Sequence, residues 1–213
     1  MKKIFAFAAA VVLFAGMASA QLGIHVGYAP QTYKTDYTVS STTFHDTTSM
    51  TGFFVGIDYN VNLTGDLNLC VGLQGRYNTS SDESTLLGVT TKVANTQMLV
   101  DIPVLFNYGL SLSDALKLTV FAGPTVNFAL SGKTTTTVSG SPAGIVDGTS
   151  ESNWYDDNSD LKKLDIAATV GVALSFSDIR LFGGYNMGLM NLSGADNTTM
   201  KGSNWFVGVG YAL

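Results

Sequence analysis

Beyond residue 20 the chain has no apolar run approaching the roughly 18 residues that a membrane-spanning helix needs, so no such helix is expected there. There is one cysteine, Cys70, which excludes an internal disulfide, although small exported domains often depend on disulfides for stability. Lysine and arginine total 11 against 16 acidic residues, and a chain so poor in cations is a poor partner for nucleic acid. The 2 histidines, His25 and His45, leave little room for metal or acid–base chemistry.

What is present begins with "MKKIFAFAAAVVLFAGMASA", residues 1–20. Two lysines, an apolar run and a small-residue Ala18-Ser19-Ala20 pattern predict a secretory signal peptide cleaved before Gln21. No cysteine follows that site, so no lipid-anchored lipoprotein is expected. Taking two lysines from eleven basic residues leaves nine against sixteen acidic ones, a net charge of −7. Residues 21–213 suit one domain.

The strongest signal is alternation with period two. In the C-terminal "NWFVGVGYAL", Trp205, Val207, Val209, Tyr211 and Leu213 form a greasy list, against Asn204, Phe206, Gly208, Gly210 and Ala212. The pattern recurs in "LGIHVGY", "GFFVGIDYN", "LNLCVGLQGRYN", "MLVDIPVLFNY", "KLTVFAGPTVNF", "LDIAATVGVALSF" and "IRLFGGYNMGL". These eight segments, seven to about thirteen residues long, read as strands, and a tilted membrane-spanning strand needs about 9–11 residues.

Connectors after the second, fourth and sixth segments are short: "NLTGD", "GLSLSDA" and "FSD". The others are longer and rich in Thr, Ser, Asn, Asp and Gly, the longest running from Ser131 to Lys163. Sorting of connectors by parity is the plan of an outer-membrane barrel. The fold class predicted is therefore all-β: an eight-stranded antiparallel up-and-down transmembrane β-barrel, its last strand pairing with its first. Tyr28, Phe53, Tyr77, Phe128 and Trp205 then fall at the loop end, and Tyr59, Tyr108, Phe176 and Tyr211 at the turn end, as two aromatic girdles with lipid-facing Val, Leu and Ile between them. A soluble lipocalin-like barrel would instead keep its large apolar side chains inside.

"LVDIPVLFNY", "FAGPTVNFAL", "GGYNMGLMNLS" and the terminal "VGVGYAL" resemble the small outer-membrane barrels of Bacteroidetes, the PorT-like and OmpX-like group. The resemblance covers the whole mature chain and implies an eight-stranded barrel inserted by the outer-membrane assembly machinery. One departure is Leu213, where such barrels often finish on an aromatic.

Candidate chemistry is sparse. His25 falls on the inward face and reads as part of an interior hydrogen-bond network, and His45, in the first long loop, reads as solvated. Lipid-trimming barrels need a His at the lipid face, and this register provides none at membrane depth. Cys70 reads as interior filler, and "TGDLN" and "DDNSD" lack the spacing of a calcium loop. No catalytic residue, metal or cofactor is expected. Inward-facing charges stand out instead: Asp58, Arg76, Asp101, Lys117, Asp165 and Arg180. Eight strands enclose an interior filled by side chains, so these charges should pair as plugs. Arg76 and Asp101 should sit at similar height with Asp165 also near the loop end, while Asp58, Lys117 and Arg180 gather near the periplasmic end.

The function expected is a non-enzymatic integral protein of the outer membrane, with a structural, adhesion or partner-docking role carried by its extracellular loops. A small-solute or ion pore and a lipid-modifying enzyme are the alternatives. Expected partners are outer-membrane lipid and lipopolysaccharide, and the assembly machinery during insertion. A monomer is expected.

Overall fold

The computed structural model describes residues 20–113, 115–140, 147–156 and 159–213. The expected signal peptide lies outside the described residues, apart from Ala20, as do parts of the third long connector. Ten strands form: β1 (Ala20–Tyr28), β2 (Gln31–Val39), β3 (Thr42–Thr64), β4 (Leu67–Leu86), β5 (Val89–Ser111), β6 (Leu116–Ser139), β7 (Gly148–Asn153), β8 (Leu164–Phe176), β9 (Ile179–Gly188) and β10 (Thr198–Ala212).

The ten reduce to eight staves. β1 pairs with the lower half of β3 (Tyr28↔Phe53) and β2 with its upper half (Gln31↔Met50), and both also pair with β10. They are one stave interrupted at Ala29-Pro30, where proline has no N–H to give a ladder. Ala29 N–H still donates to Gly52 O at 2.8 Å. β7 is a short arm on β6. Every other neighbour pairing is antiparallel and sequential, and β1 against β10 (Val26↔Val209) closes the ring. Closure leaves no open edge, which the bilayer requires.

The expected alternation holds. Ile24, Val26, Val55, Ile57, Val170, Val172, Leu181 and Val209 lie exposed on the outside, and Phe54, Arg76, Asp101, Asn127, Thr169 and Asn204 face in. A bulge between Met98 and Leu99 skips one residue of β6, so Ala129 and Gly132 both face in although their numbers differ in parity.

Two expectations need correction. Strands β3, β4, β5, β6 and β10 are longer than thirteen residues, up to 24 in β6, because they run on past the membrane. And the first two long connectors are β-hairpins rather than irregular loops, with two-residue turns at Ser40-Ser41 (φ 48° and 70°) and Leu87-Gly88 (φ 50° and 80°). His45 therefore lies within β3, opposite Asp36. Paired φ > 0 at both turn positions matches the right-handed twist of the strands. Facing threonines hold the tips: Thr38 and Thr43 hydroxyls are 3.0 Å apart, as are those of Thr85 and Thr90. Threonine is β-branched yet polar, so such a segment stays a strand outside the bilayer while reading as a loop by hydropathy. The periplasmic turns are short, at Gly65-Asp66, between Ser111 and Leu116, and at Ser177-Asp178.

Candidate functional site

The lumen is built in layers. In the extracellular half, Arg76 is buried and held by three side chains. Its Nη1 donates to Gln31 Oε1 at 2.6 Å and to Asn204 Oδ1 at 3.0 Å. Nη2 donates to Asp101 Oδ1 at 3.2 Å, and Nε lies 3.0 Å from Asp101 Oδ2. Gln74 Nε2 donates to the same carboxylate at 3.0 Å. A belt continues across the lumen: Asn186 Nδ2 donates to Asn204 Oδ1 at 3.3 Å, Thr169 Oγ1 to Asn186 Oδ1 at 2.7 Å, and the Thr125 and Thr169 hydroxyls meet at 2.6 Å. Three strands, β2, β5 and β10, thus hold one guanidinium, since a charge in a dry interior needs partners.

Below lies an aromatic layer. Phe121–Phe206, Phe206–Phe182 and Phe182–Phe54 ring centroids are 6.3, 6.2 and 6.1 Å apart, and the His25 ring lies 5.9 Å from Phe54 and from Phe182. Room for the rings comes from glycine on the adjoining strands; a Cβ on Gly208 would stand 2.6 Å from Phe182 Cζ. This layer places four phenylalanines inside the barrel, on the face opposite the lipid-facing list. Phe54 and Phe206 were visible on the inward lists, but large inward aromatics break the hydropathy contrast that alternation relies on.

Nearer the periplasm, His25 Nδ1 is 2.8 Å from Asp58 Oδ2, and Arg180 Nη2 donates to that oxygen at 2.5 Å. Asn60 Nδ2 donates to Asp58 Oδ1 at 2.7 Å, and Asn107 Nδ2 to Asn60 Oδ1 at 3.2 Å. Asp58 and Arg180 meet as expected by height. Lys117, expected with them, does not: among the described residues no carboxylate lies within 4 Å of it, and its stem packs over Gly109. Asp165 lies near the loop end but forms no ion pair with Arg76; it accepts the Met190 N–H at 3.2 Å. Cys70 is buried and free.

A cavity of about 440 Å³ rises from the periplasmic turns, past His25 and the phenyl rings, to Asn186 and Asn204. Those two asparagines also line a separate cavity of about 30 Å³ with Arg76, Gln97 and Tyr155. Arg76 lines the upper cavity and is not among the residues around the lower one. Over the extracellular mouth, Gln97 Oε1 accepts Tyr33 Oη at 2.7 Å and Asn78 Nδ2 at 3.3 Å, while Gln97 Nε2 donates to Tyr155 Oη at 2.9 Å. Trp154 Nε1 donates to Thr134 Oγ1 at 2.7 Å, anchoring the segment that carries Tyr155.

Outside, Tyr28 packs edge-on against Phe53 and Trp205, each at 5.4 Å, and Phe53 pairs with Tyr77. Phe128 is also exposed, two residues before the bulge. Tyr108, Phe176 and Tyr211 lie exposed toward the periplasmic turns, with Tyr59 partly covered.

Residues 14–194 match the outer membrane protein beta-barrel domain family over most of the chain. The chain belongs to that family. The outer membrane barrel thus resides in the cell outer membrane. No curated protein matches its sequence. Among solved structures it is similar to the attachment invasion locus protein Ail of Yersinia pestis in complex with the heparin analogue sucrose octasulfate: 15% identity and TM-score 0.39, over 92% of this chain and 99% of that one. Neisserial surface protein A shows 12% identity and TM-score 0.40 over 92% and 99%. The outer membrane enzyme PagL shows 11% and 0.35 over 88% and 97%.

Proposed function

We propose that this outer membrane barrel is a non-enzymatic surface protein whose extracellular hairpins dock a partner, and that it is not a pore. The observation that carries this reading is the division of labour in one sheet. The Arg76 network crosses the lumen where the two cavities meet, while the same strands continue outward as ordered hairpins. Those hairpins expose apolar side chains to water. Tyr37 and Phe44 stack at 5.3 Å on the first, and Leu86 and Leu87 crown the second at 72% and 88% exposure. Exposed aromatic and aliphatic residues at rigid tips suit contact with another surface.

A pore would need a continuous wet path, which Arg76, Asn204 and Tyr155 interrupt. A lipid-modifying enzyme would need its histidine at the lipid face. His25 instead faces the lumen, held by Asp58, and His45 Nδ1 is 2.6 Å from Asp36 Oδ1 on a hairpin beyond the girdle. The narrower assignment to the PorT-like group of Bacteroidetes barrels fits the strand motifs and is part of this proposal.

Whole cells displaying the wild type and the Tyr37→Ala/Phe44→Ala/Leu87→Ser variant test it by adhesion to immobilised partner-cell or matrix surfaces. Adhesion should fall in the variant, with the same amount of heat-modifiable barrel in the membrane. Equal adhesion would overturn the docking role.

A further inference from the structure

Lys34 of β2 and Lys201 of β10 are direct cross-strand partners on the outer face of the barrel, and both are exposed. Like charges placed opposite each other in a sheet repel, because their Cβ atoms are only about 5 Å apart. Among the described residues no carboxylate oxygen lies within 4 Å of either ammonium. The nearest acid along β2, Asp36, is already held by His45 at 2.6 Å. Elsewhere on the hairpins the outward cations stand beside acids rather than a second cation: Lys133 Nζ is 2.5 Å from Glu151 Oε1, and Lys92 is the register partner of Glu83 in the β4–β5 ladder. The bare pair is therefore a local feature.

Its height gives it meaning. Lys201 lies four residues above Trp205 on the same face, and Lys34 six above Tyr28. Four residues of a tilted strand rise roughly 10 Å, enough to cross from the aromatic girdle to the outer side of the headgroup layer. Between the lysines and the Tyr28–Phe53–Trp205 cluster runs a band of outward hydroxyls: Thr32 faces Ser203 across the ladder, and its hydroxyl lies 3.3 Å from that of Ser49. From the membrane outward the surface reads aromatic, hydroxyl, paired ammonium.

We propose that this strip on β10, β2 and β3 is a binding site for the phosphorylated glycolipid of the outer leaflet. Lys34 and Lys201 hold one headgroup phosphate between them, the hydroxyl band meets the sugar, and Tyr28, Phe53 and Trp205 pack on the first acyl carbons. A phosphate dianion cancels the repulsion that the bare protein carries.

The experiment titrates full-length barrel in maltoside micelles with bis-phosphorylated lipid A, with its dephosphorylated form and with inorganic phosphate, reading occupancy by native mass spectrometry. A lysine near an anionic lipid surface weights binding about fivefold, so Lys34→Gln/Lys201→Gln should weaken lipid A binding tenfold or more. Dephosphorylated lipid should bind the wild type as poorly as lipid A binds that variant. Inorganic phosphate should not compete at millimolar concentration; competition would make this a free-anion site and overturn the lipid assignment. Lys201→Glu supplies the second readout. It should abolish lipid A binding while keeping or raising the urea midpoint in lipid-free micelles, since a carboxylate then faces Lys34. Unchanged lipid A affinity in Lys34→Gln/Lys201→Gln, or a lowered midpoint in Lys201→Glu, overturns the proposal.

Discussion

Arg76 and Asp101 are diagonal neighbours rather than ladder partners. Arg76 pairs in register with Leu99, and Asp101 with Gln74, yet the guanidinium reaches across to place Nε 3.0 Å from one carboxylate oxygen and Nη2 3.2 Å from the other. Both side chains are almost wholly buried, at 2% and 1% exposure. Removing either partner leaves the other charge in a dry interior, and Arg76→Met or Asp101→Leu should each cost about 3–5 kcal/mol. The double variant should cost clearly less than the sum. The penalties should also differ in kind: Asp101→Leu leaves Arg76 two neutral acceptors, Gln31 and Asn204, whereas Arg76→Met leaves Asp101 only Gln74 as a donor in this network. Urea unfolding in detergent micelles measures all three, and additive losses would show that the contact contributes nothing of its own.

The same network bears on transport. Purified wild-type barrel in planar bilayers should show no stable porin-like steps, because the Arg76, Asn204 and Asn186 side chains are joined across the lumen where the two cavities meet. Tyr155→Ala should leave conductance at baseline, since Arg76 still blocks the bore beneath it. Reproducible unitary steps in the wild type would restore the pore reading.

Much of this was legible in the chain because period-two alternation reports facing directly: each of the eight segments became a stave with the expected face outward. The heights of Arg76 and Asp101 followed from counting residues along neighbouring strands. Other features were illegible for physical reasons. The Thr-rich hairpins carry no hydropathy contrast, so they looked like loops although their β-branched residues favour strands. Phe121 and Phe182 face a lumen where glycine on adjoining strands makes room for them, a relation between strands that a single strand does not display. Lys117 shares a height with Asp58 and Arg180 but leans along Gly109, away from them. The Lys34–Lys201 pairing depends on the register between β2 and β10, which are separated by most of the sequence.

Register itself is testable at the barrel seam. Val209 pairs with Val26 and with Leu181, and is 44% exposed on the outer face. Arg at 209 should cost about 2–4 kcal/mol, as for a cation near the bilayer midplane. At the adjacent Gly208, even a Cβ would stand 2.6 Å from Phe182 Cζ and 3.0 Å from Phe54 Cζ, so Gly208→Arg should fail to form heat-modifiable barrel at all. A spin label at 209 should be accessible to oxygen and shielded from a water-soluble relaxant. The reverse would place the seam one residue out of register.

Above the membrane, Tyr155 and Tyr33 converge on the Gln97 amide, and burial raises both phenol pKa values above the usual tyrosine range. The sign follows from linkage. A phenol whose folded pKa lies above its unfolded value contributes stability below the unfolded pKa, near 10, and loses it as pH rises through the folded pKa. The cap should therefore be intact at neutral pH and loosen only in alkali. An ultraviolet tyrosinate titration should show a late phase to which Tyr33 and Tyr155 contribute. Tyr155→Phe should remove one late phenol and, by freeing the segment anchored through Trp154, raise protease cleavage between Gly148 and Lys163 at pH 7 while leaving the urea midpoint of the membrane staves within about 1 kcal/mol, since the hydrogen bond lost is a single neutral one. If Tyr155→Phe leaves the late phase and the cleavage pattern unchanged, Tyr155 does not close the mouth.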